Sequence, residues 1–174
     1  MRFLWLMLPF LLIASTAWSD QVSLRPPGAA VELRTYGFGV IPFDGTFTRF
    51  QGWMRYTPAN TDMCQVMLEI EAASLTMENA AIRDRIVAAD MMDVVRFPGL
   101  TFEGVCKGAA VTGDLTMHGQ THTVTLDFTR SGGKVTATGH LRRADWGISG
   151  SPMSGGPLIR IRVVLPDPFL APHT

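Results

Sequence analysis

Between Val31 and Leu165 the chain repeatedly alternates apolar and polar residues with a period of two. Val31, Leu33 and Thr35 alternate with Glu32, Arg34 and Tyr36. Phe50, Gly52, Met54 and Tyr56 share one parity. Cys64, Val66, Leu68 and Ile70 alternate with Gln65, Met67, Glu69 and Glu71. Leu100 and Phe102, then Val124, Leu126 and Phe128, repeat the pattern. Val135, Ala137 and Leu141 follow, then Ile159, Ile161, Val163 and Leu165. Period two places alternate side chains on opposite faces of a strand, one buried and one wet. From Gly113 to Phe128, two such runs flank a polar turn centred on Gly119, the pattern of a β-hairpin. Seven or eight strands at hairpin spacing predict a mainly β fold. The expected form is a single antiparallel eight-stranded β-barrel, lipocalin-like in architecture.

One segment breaks the alternation. Thr76 to Ala89 is rich in Ala, Glu, Asn and Arg, with Ile82 and Ile86 four apart on one helical face. The expected helix is capped by Thr76, carries Glu78 in its first turn, and lies between two strands over one barrel end. Asp90-Met91-Met92-Asp93 can begin a short turn that Pro98 ends.

The start of the chain bears on its compartment. Arg2 is the only charge before Asp20, Phe3 to Ala14 is apolar, and Ala17-Trp18-Ser19 offers small residues at a cleavage site. Residues 1–19 are therefore expected to be a secretory signal peptide, cut between Ser19 and Asp20. The apolar run is short for a membrane span. Residues 20–174 would remain as one exported domain, with no stable membrane span after cleavage. With 15 basic and 15 acidic residues, no positive excess exists to neutralise phosphates, and nucleic acid is not an expected partner.

The shared-parity positions form the predicted interior. Candidate lining residues are Leu33, Phe50, Met54, Tyr56, Val66, Leu68, Ile70, Leu100, Phe102, Leu115, Leu126, Phe128, Leu141, Ile161 and Val163. None is charged. An eight-stranded barrel either packs solid or holds one ligand. Periodicity alone leaves both open.

The spelling of several segments decides between them. Gly113-Asp114-Leu115-Thr116 with Gly119, Thr121, Val124 and Leu126 resembles the hairpin of the YceI-like family. Gly45, Phe47, Phe50 and Gly52 are similar to that family's G-x-F-x-x-F-x-G strand pair. Ser74-Leu75-Thr76, Arg83-Asp84, Ala89 to Asp93 with Arg96 to Phe102, and Arg143-Ala144-Asp145-Trp146-Gly147 resemble further segments in the same order. The resemblance implies a periplasmic β-barrel that binds a long apolar lipid: an isoprenoid, an isoprenoid quinone or a related amphiphile. Transport, storage and sequestration are the roles implied; catalysis and a cofactor are not. Gly37 and Ile86 stand where relatives often carry His, and Met91-Met92 replaces a Phe pair. A polar head is then expected at a mouth formed by Arg83, Asp84, Met91 and Met92. Brief membrane contact and a homodimer are both compatible with this reading.

Cys64 and Cys106 are the only cysteines, and in an exported chain a pair favours a disulfide. An antiparallel register that opposes Cys64 to Cys106 also opposes Leu68 to Phe102 and Ile70 to Leu100, apolar against apolar. Candidate catalysts are few. His118 and His122 flank a hairpin turn without a third ligand nearby, so they read as solvated turn residues and no metal is expected. Gly147-Ile148-Ser149-Gly150-Ser151 lacks the spacing and setting of a nucleophile elbow. Arg143 and Asp145 read as a structural pair. The competing reading is an exported hydrolase or metal-dependent enzyme using the His118/His122 turn and the Ser149 loop. A third is a solid-cored barrel working through its surface with a protein partner.

Overall fold

A computed structural model of the chain describes residues 20–38, 40–57, 60–149, 156–168 and 170. The expected leader, residues 1–19, and Ser151 lie outside the described residues. Among those described are eleven strands: β1 (Asp20–Ser23), β2 (Ala30–Gly37), β3 (Ile41–Phe47), β4 (Phe50–Thr57), β5 (Asn60–Glu71), β6 (Leu75–Met77), β7 (Gly99–Lys107), β8 (Ala110–Met117), β9 (Gln120–Ser131), β10 (Lys134–Arg142) and β11 (Leu158–Pro166). One helix, α1 (Ala80–Val87), lies between β6 and β7.

The eleven strands compose eight staves, because three long staves are bent and interrupted. β3 and β4 run on as one. Phe47 opposes Leu75 on β6 and Phe50 opposes Ile70 on β5. At the bend, Thr48 N–H donates to the Ser74 carbonyl at 3.2 Å, and Glu71 N–H to the Arg49 carbonyl at 3.0 Å. β5 and β6 are thus one stave, broken by a single turn of 3₁₀ helix over Ala72–Ser74. β1 and β2 run against the same partner stave, with Leu24 N–H donating to the Gly52 carbonyl at 2.9 Å beyond β1. Each stave pairs antiparallel with its neighbour in sequence, and β11 pairs with β2 to close the ring, Val163 opposite Val31. Among the described residues, closure leaves no long unpaired edge. The eight-stranded expectation holds at the level of staves.

Turn chemistry sets the register. His118 (φ 51°) and Gly119 (φ 74°) form the two-residue link between β8 and β9, with Met117 opposite Gln120. Two successive positive φ angles match the twist of the flanking strands. β5 and β7 pair with Leu68 opposite Phe102 and Ile70 opposite Leu100, the predicted register. Cys64 and Cys106 are joined in a disulfide.

The helix is shorter than expected and starts later. Thr76 is not its cap: Thr76 lies in β6 opposite Thr46, and its hydroxyl donates to the Thr46 carbonyl at 3.0 Å. Leu75 is almost wholly buried, so strand pairing wins this segment over local helical preference. The cap is Asn79, whose Oδ1 accepts from Ile82 N–H at 3.1 Å. Ile86 is buried and Ile82 packs partly against the core. The Arg83 guanidinium donates to the carbonyls of Leu75 (3.0 Å) and Ala73 (2.8 Å), fastening α1 to the stave before it.

Candidate binding cavity

Inward parity around the ring produces a continuous apolar wall. It surrounds a cavity of about 150 Å³. Of the predicted lining residues, Leu33, Met54, Val66, Leu68, Ile70, Leu100, Phe102, Leu115, Leu126, Phe128, Leu141, Ile161 and Val163 face it. Phe50 and Tyr56 are buried but outside that lining. Phe50 sits just past the bend between β3 and β4. The Tyr56 hydroxyl donates to the Pro168 carbonyl at 3.3 Å, and burial pushes its phenol pKa up.

The lining also includes residues that the strand pattern did not bring forward as a site. Val111 and Met117 share the parity of Leu115 on β8 and were legible by extending the alternation. Ile86, Met91, Met92 and Ile148 come from α1 and loops at the helix end, where no periodicity marks them. Met91 and Met92 are buried, and backbone bonds hold them there. Met92 N–H donates to the Ile86 carbonyl at 3.0 Å and Met91 N–H to the Ala88 carbonyl at 3.0 Å. The four residues predicted for the mouth are therefore separated. Met91 and Met92 face inward. Arg83 is directed at β6, and the Asp84 side chain, 71% exposed, pairs with Arg83 at 3.1 Å.

The expectation of an uncharged lining is corrected by Arg143. It lies on the cavity wall, is 8% exposed, and donates to the Met91 sulfur at 3.5 Å. The reason is parity. Val135, Gly139, Leu141 and Arg143 are all buried, and Arg143 N–H donates to the Pro157 carbonyl at 3.1 Å, continuing the β10–β11 register past the strand end. Asp145, its expected structural partner, is exposed. Burial lowers the guanidinium pKa from its ordinary value, but an arginine stays charged at any working pH. Thr35, 5% exposed on β2, adds a hydroxyl to the same lining.

His118 is corrected as well, being half-buried against Trp146, whereas His122 is exposed as expected of a turn residue. His118 Nδ1 lies 3.0 Å from the Trp146 carbonyl, and its ring lies 4.4 Å from that of Phe97. The His122 ring meets Trp146 edge-on at 5.0 Å. Trp146 is 2% exposed and donates through Nε1 to the Leu115 carbonyl at 3.3 Å. Ser149 is exposed. Among the described residues no cluster of His, Cys, Asp and Glu is placed to hold a metal ion.

The YceI-like domain matches residues 23–165. A UPF0312 protein of Pseudomonas putida is 32% identical over 158 residues, covering 80% of this chain and 82% of that protein. A UPF0312 protein of Vibrio cholerae is 29% identical over 120 residues, covering 66% and 64%. Among solved structures, Burkholderia cenocepacia BcnA superposes with a TM-score of 0.63 at 21% identity, covering 78% of this chain and 94% of that one. A polyisoprenoid-binding domain from Saccharophagus degradans superposes at 0.58 with 13% identity, covering 82% and 94%. At these identities the structural neighbours speak to the fold.

Proposed function

The chain belongs to the YceI-like family, and on that premise we propose that its barrel holds the chain of one apolar lipid. The lipid class is an isoprenoid, an isoprenoid quinone or a related amphiphile, bound for transport, storage or sequestration rather than for chemistry. The observation that carries this is the continuous apolar wall around the cavity. The Saccharophagus domain of the same fold is described as polyisoprenoid-binding.

An apolar cavity of about 150 Å³ takes a guest the size of benzene. A long chain therefore needs the wall to yield. Met54, Met91, Met92 and Met117 line it, and unbranched thioether side chains re-pack at little cost. Each buried CH₂ of the guest contributes about 0.8 kcal/mol, so a long tail can outweigh the rearrangement where a short one does not.

The setting proposed is the periplasm, reached through the leader at residues 1–19. The Cys64–Cys106 disulfide fits an oxidising compartment. Phe38, Val40 and Ile41 are 64%, 76% and 47% exposed beside the β2–β3 turn, at the same end of the barrel as α1. Such a patch fits brief contact with a membrane during loading. No described helix is long and apolar enough to cross a bilayer. His118 and His122 support Trp146, which favours the binding reading over the enzymatic one.

The test is native mass spectrometry of protein taken from its own host, with solvent extraction of any bound species, followed by affinities for one head group on tails of increasing length. A co-purifying lipid and an affinity that rises with tail length are expected. An empty barrel with affinity independent of tail length would refute lipid burial.

A further inference from the structure

Large apolar side chains exposed to solvent gather at the helix end of the barrel. Phe38, Val40 and Ile41 flank the β2–β3 turn, Leu158 opens β11, and Val95, 92% exposed, follows α1. Three arginines stand beside them. Among the described residues Arg96, Arg142 and Arg160 pair with no carboxylate. We propose that this end is a docking surface for a bilayer leaflet carrying anionic phospholipids. The apolar residues enter the headgroup layer and the three arginines meet lipid phosphates. This rests on the lipid-binding reading and adds the partner surface to it.

Position is the first support. Arg160 opposes Arg34, and continuing that register brings Leu158 level with Tyr36, whose partner Pro42 adjoins Ile41. Leu158 thus extends the Phe38–Ile41 edge. Phe97, just after Val95, lies ring to ring 4.4 Å from His118 at the β8–β9 turn, so Val95 stands across the same rim. Apolar groups on both sides of a rim suit contact with a plane. Ile86, Met91, Met92 and Ile148 close the cavity at this end, so a lipid drawn from the leaflet has only that layer to pass.

Charge is the second support. Other arginines at this end are neutralised: Arg34 by Asp44, Arg83 by Asp84 and Arg85 by Asp90. The three without a carboxylate are those nearest the apolar tips. Arg96 adjoins Val95, Arg142 opposes Leu158, and Arg160 follows Leu158 on the same outward face. Arg160 donates to His140 Nε2 at 3.3 Å and Arg96 lies 5.1 Å over the Phe97 ring, contacts that leave both charges uncompensated. Arg160 opposite Arg34 is a like-charge pair, unfavourable across strands unless an anion sits nearby. Lipid phosphates supply that anion just where the apolar tips enter the headgroups. Glu78 and Asp145 are exposed at the same end, and Asp93 Oδ1 accepts from Arg96 N–H at 3.4 Å. The positive excess is therefore small, and apolar insertion has to act with it.

The experiment is flotation with vesicles of pure phosphatidylcholine and of phosphatidylcholine mixed in equal parts with phosphatidylglycerol. Wild-type protein is expected to bind the anionic vesicles roughly tenfold or more tightly, because each arginine at a charged surface contributes about fivefold and the nearby carboxylates offset part of it. The preference should vanish at about 1 M salt, where the screening length is about 3 Å, a readout on the unaltered protein. Arg96→Gln with Arg142→Gln and Arg160→Gln should abolish the preference at low salt. The same three positions changed to lysine should keep most of it. Equal binding of the wild type to both vesicles would overturn the proposal. So would binding to neither, which would turn this edge toward a protein partner. Lipid affinity in detergent, expected to be the same for the wild type and the glutamine variant, keeps the two readings apart. Lipid uptake in detergent without preference for anionic vesicles sinks the docking surface alone, and anionic docking without lipid uptake sinks the lipid-binding reading.

Discussion

Cys64 on β5 and Cys106 on β7 are bonded, with Cα atoms 4.7 Å apart. That separation matches opposed residues of an antiparallel pair that exchange no backbone hydrogen bonds, where side chains lie closest. The bond therefore fixes a register that Leu68 opposite Phe102 and Ile70 opposite Leu100 already favour. It closes a loop with a sequence separation of 42. Replacing both cysteines by serine should lower unfolding stability by about 3–4 kcal/mol in the chain-entropy account. Urea titration of the double variant beside the oxidised wild type measures this. Unchanged midpoint and slope would mean that the strand register carries the stability alone.

Gly113 opposes Gly104 across β7 and β8. A Cβ at Gly113 would lie 2.1 Å from the Glu103 carbonyl oxygen and 2.4 Å from the Gly104 Cα, backbone atoms that cannot swing aside. Gly113→Ala should cost well over the roughly 1 kcal/mol of an average substitution. Gly99→Ala is the control, since nothing lies within 4 Å of its added Cβ. Thermal melts of the two variants should differ clearly. Equal effects would show that β8 can move away from β7 without loss.

Ala137 lines the cavity. Ala137→Phe puts a large apolar side chain into existing space, so it should reduce lipid affinity at least tenfold with little loss of stability. Lipid titrations and melts on the same sample separate the two. Undiminished affinity would place the bound chain elsewhere.

Two carboxylates give an acid-side dependence. A hydrogen-bonded ion pair with Arg34 lowers the Asp44 pKa, and one with Arg49 lowers that of Glu71. A carboxylate more acidic in the fold than in the unfolded chain stabilises fully above its unfolded pKa, about 4. That contribution is lost as the pH falls through the lower folded value. Both pairs are exposed, so the effect is small. Melting temperatures should be flat from these groups above about pH 5 and fall below about pH 4. Asp44→Asn with Glu71→Gln should make the acid fall shallower. An identical acid profile in the double variant would assign it to other groups.

Phe38, Val40 and Ile41 form the exposed apolar edge at the helix end. Changing all three to serine should reduce flotation with lipid vesicles and slow lipid transfer, while leaving equilibrium affinity for lipid in detergent unchanged. Transfer at the wild-type rate would remove this edge from the loading route.

Alternation along the strands was enough to specify an antiparallel barrel and most of its lining, because side-chain direction in a strand follows from backbone geometry alone. The same rule made the Cys64–Cys106 register legible from two residues and their neighbours. It did not reach three features that depend on contacts distant in sequence. Thr76 entered β6 rather than capping a helix because Thr46, thirty residues earlier, offered a strand edge. Met91 and Met92 turned inward because the turn after α1 bonds them to Ile86 and Ala88, and no period marks a loop. Arg143 reached the cavity wall because the β10–β11 pairing runs past the strand end, carrying inward parity onto a residue whose charge argued for the surface. The sequence by itself determined which faces are apolar, and burial of apolar surface then selects the barrel. Only the tertiary structure decided which polar groups share that interior. A charged side chain goes inside where backbone pairing and its neighbours hold it, and those neighbours are assembled only when the barrel closes.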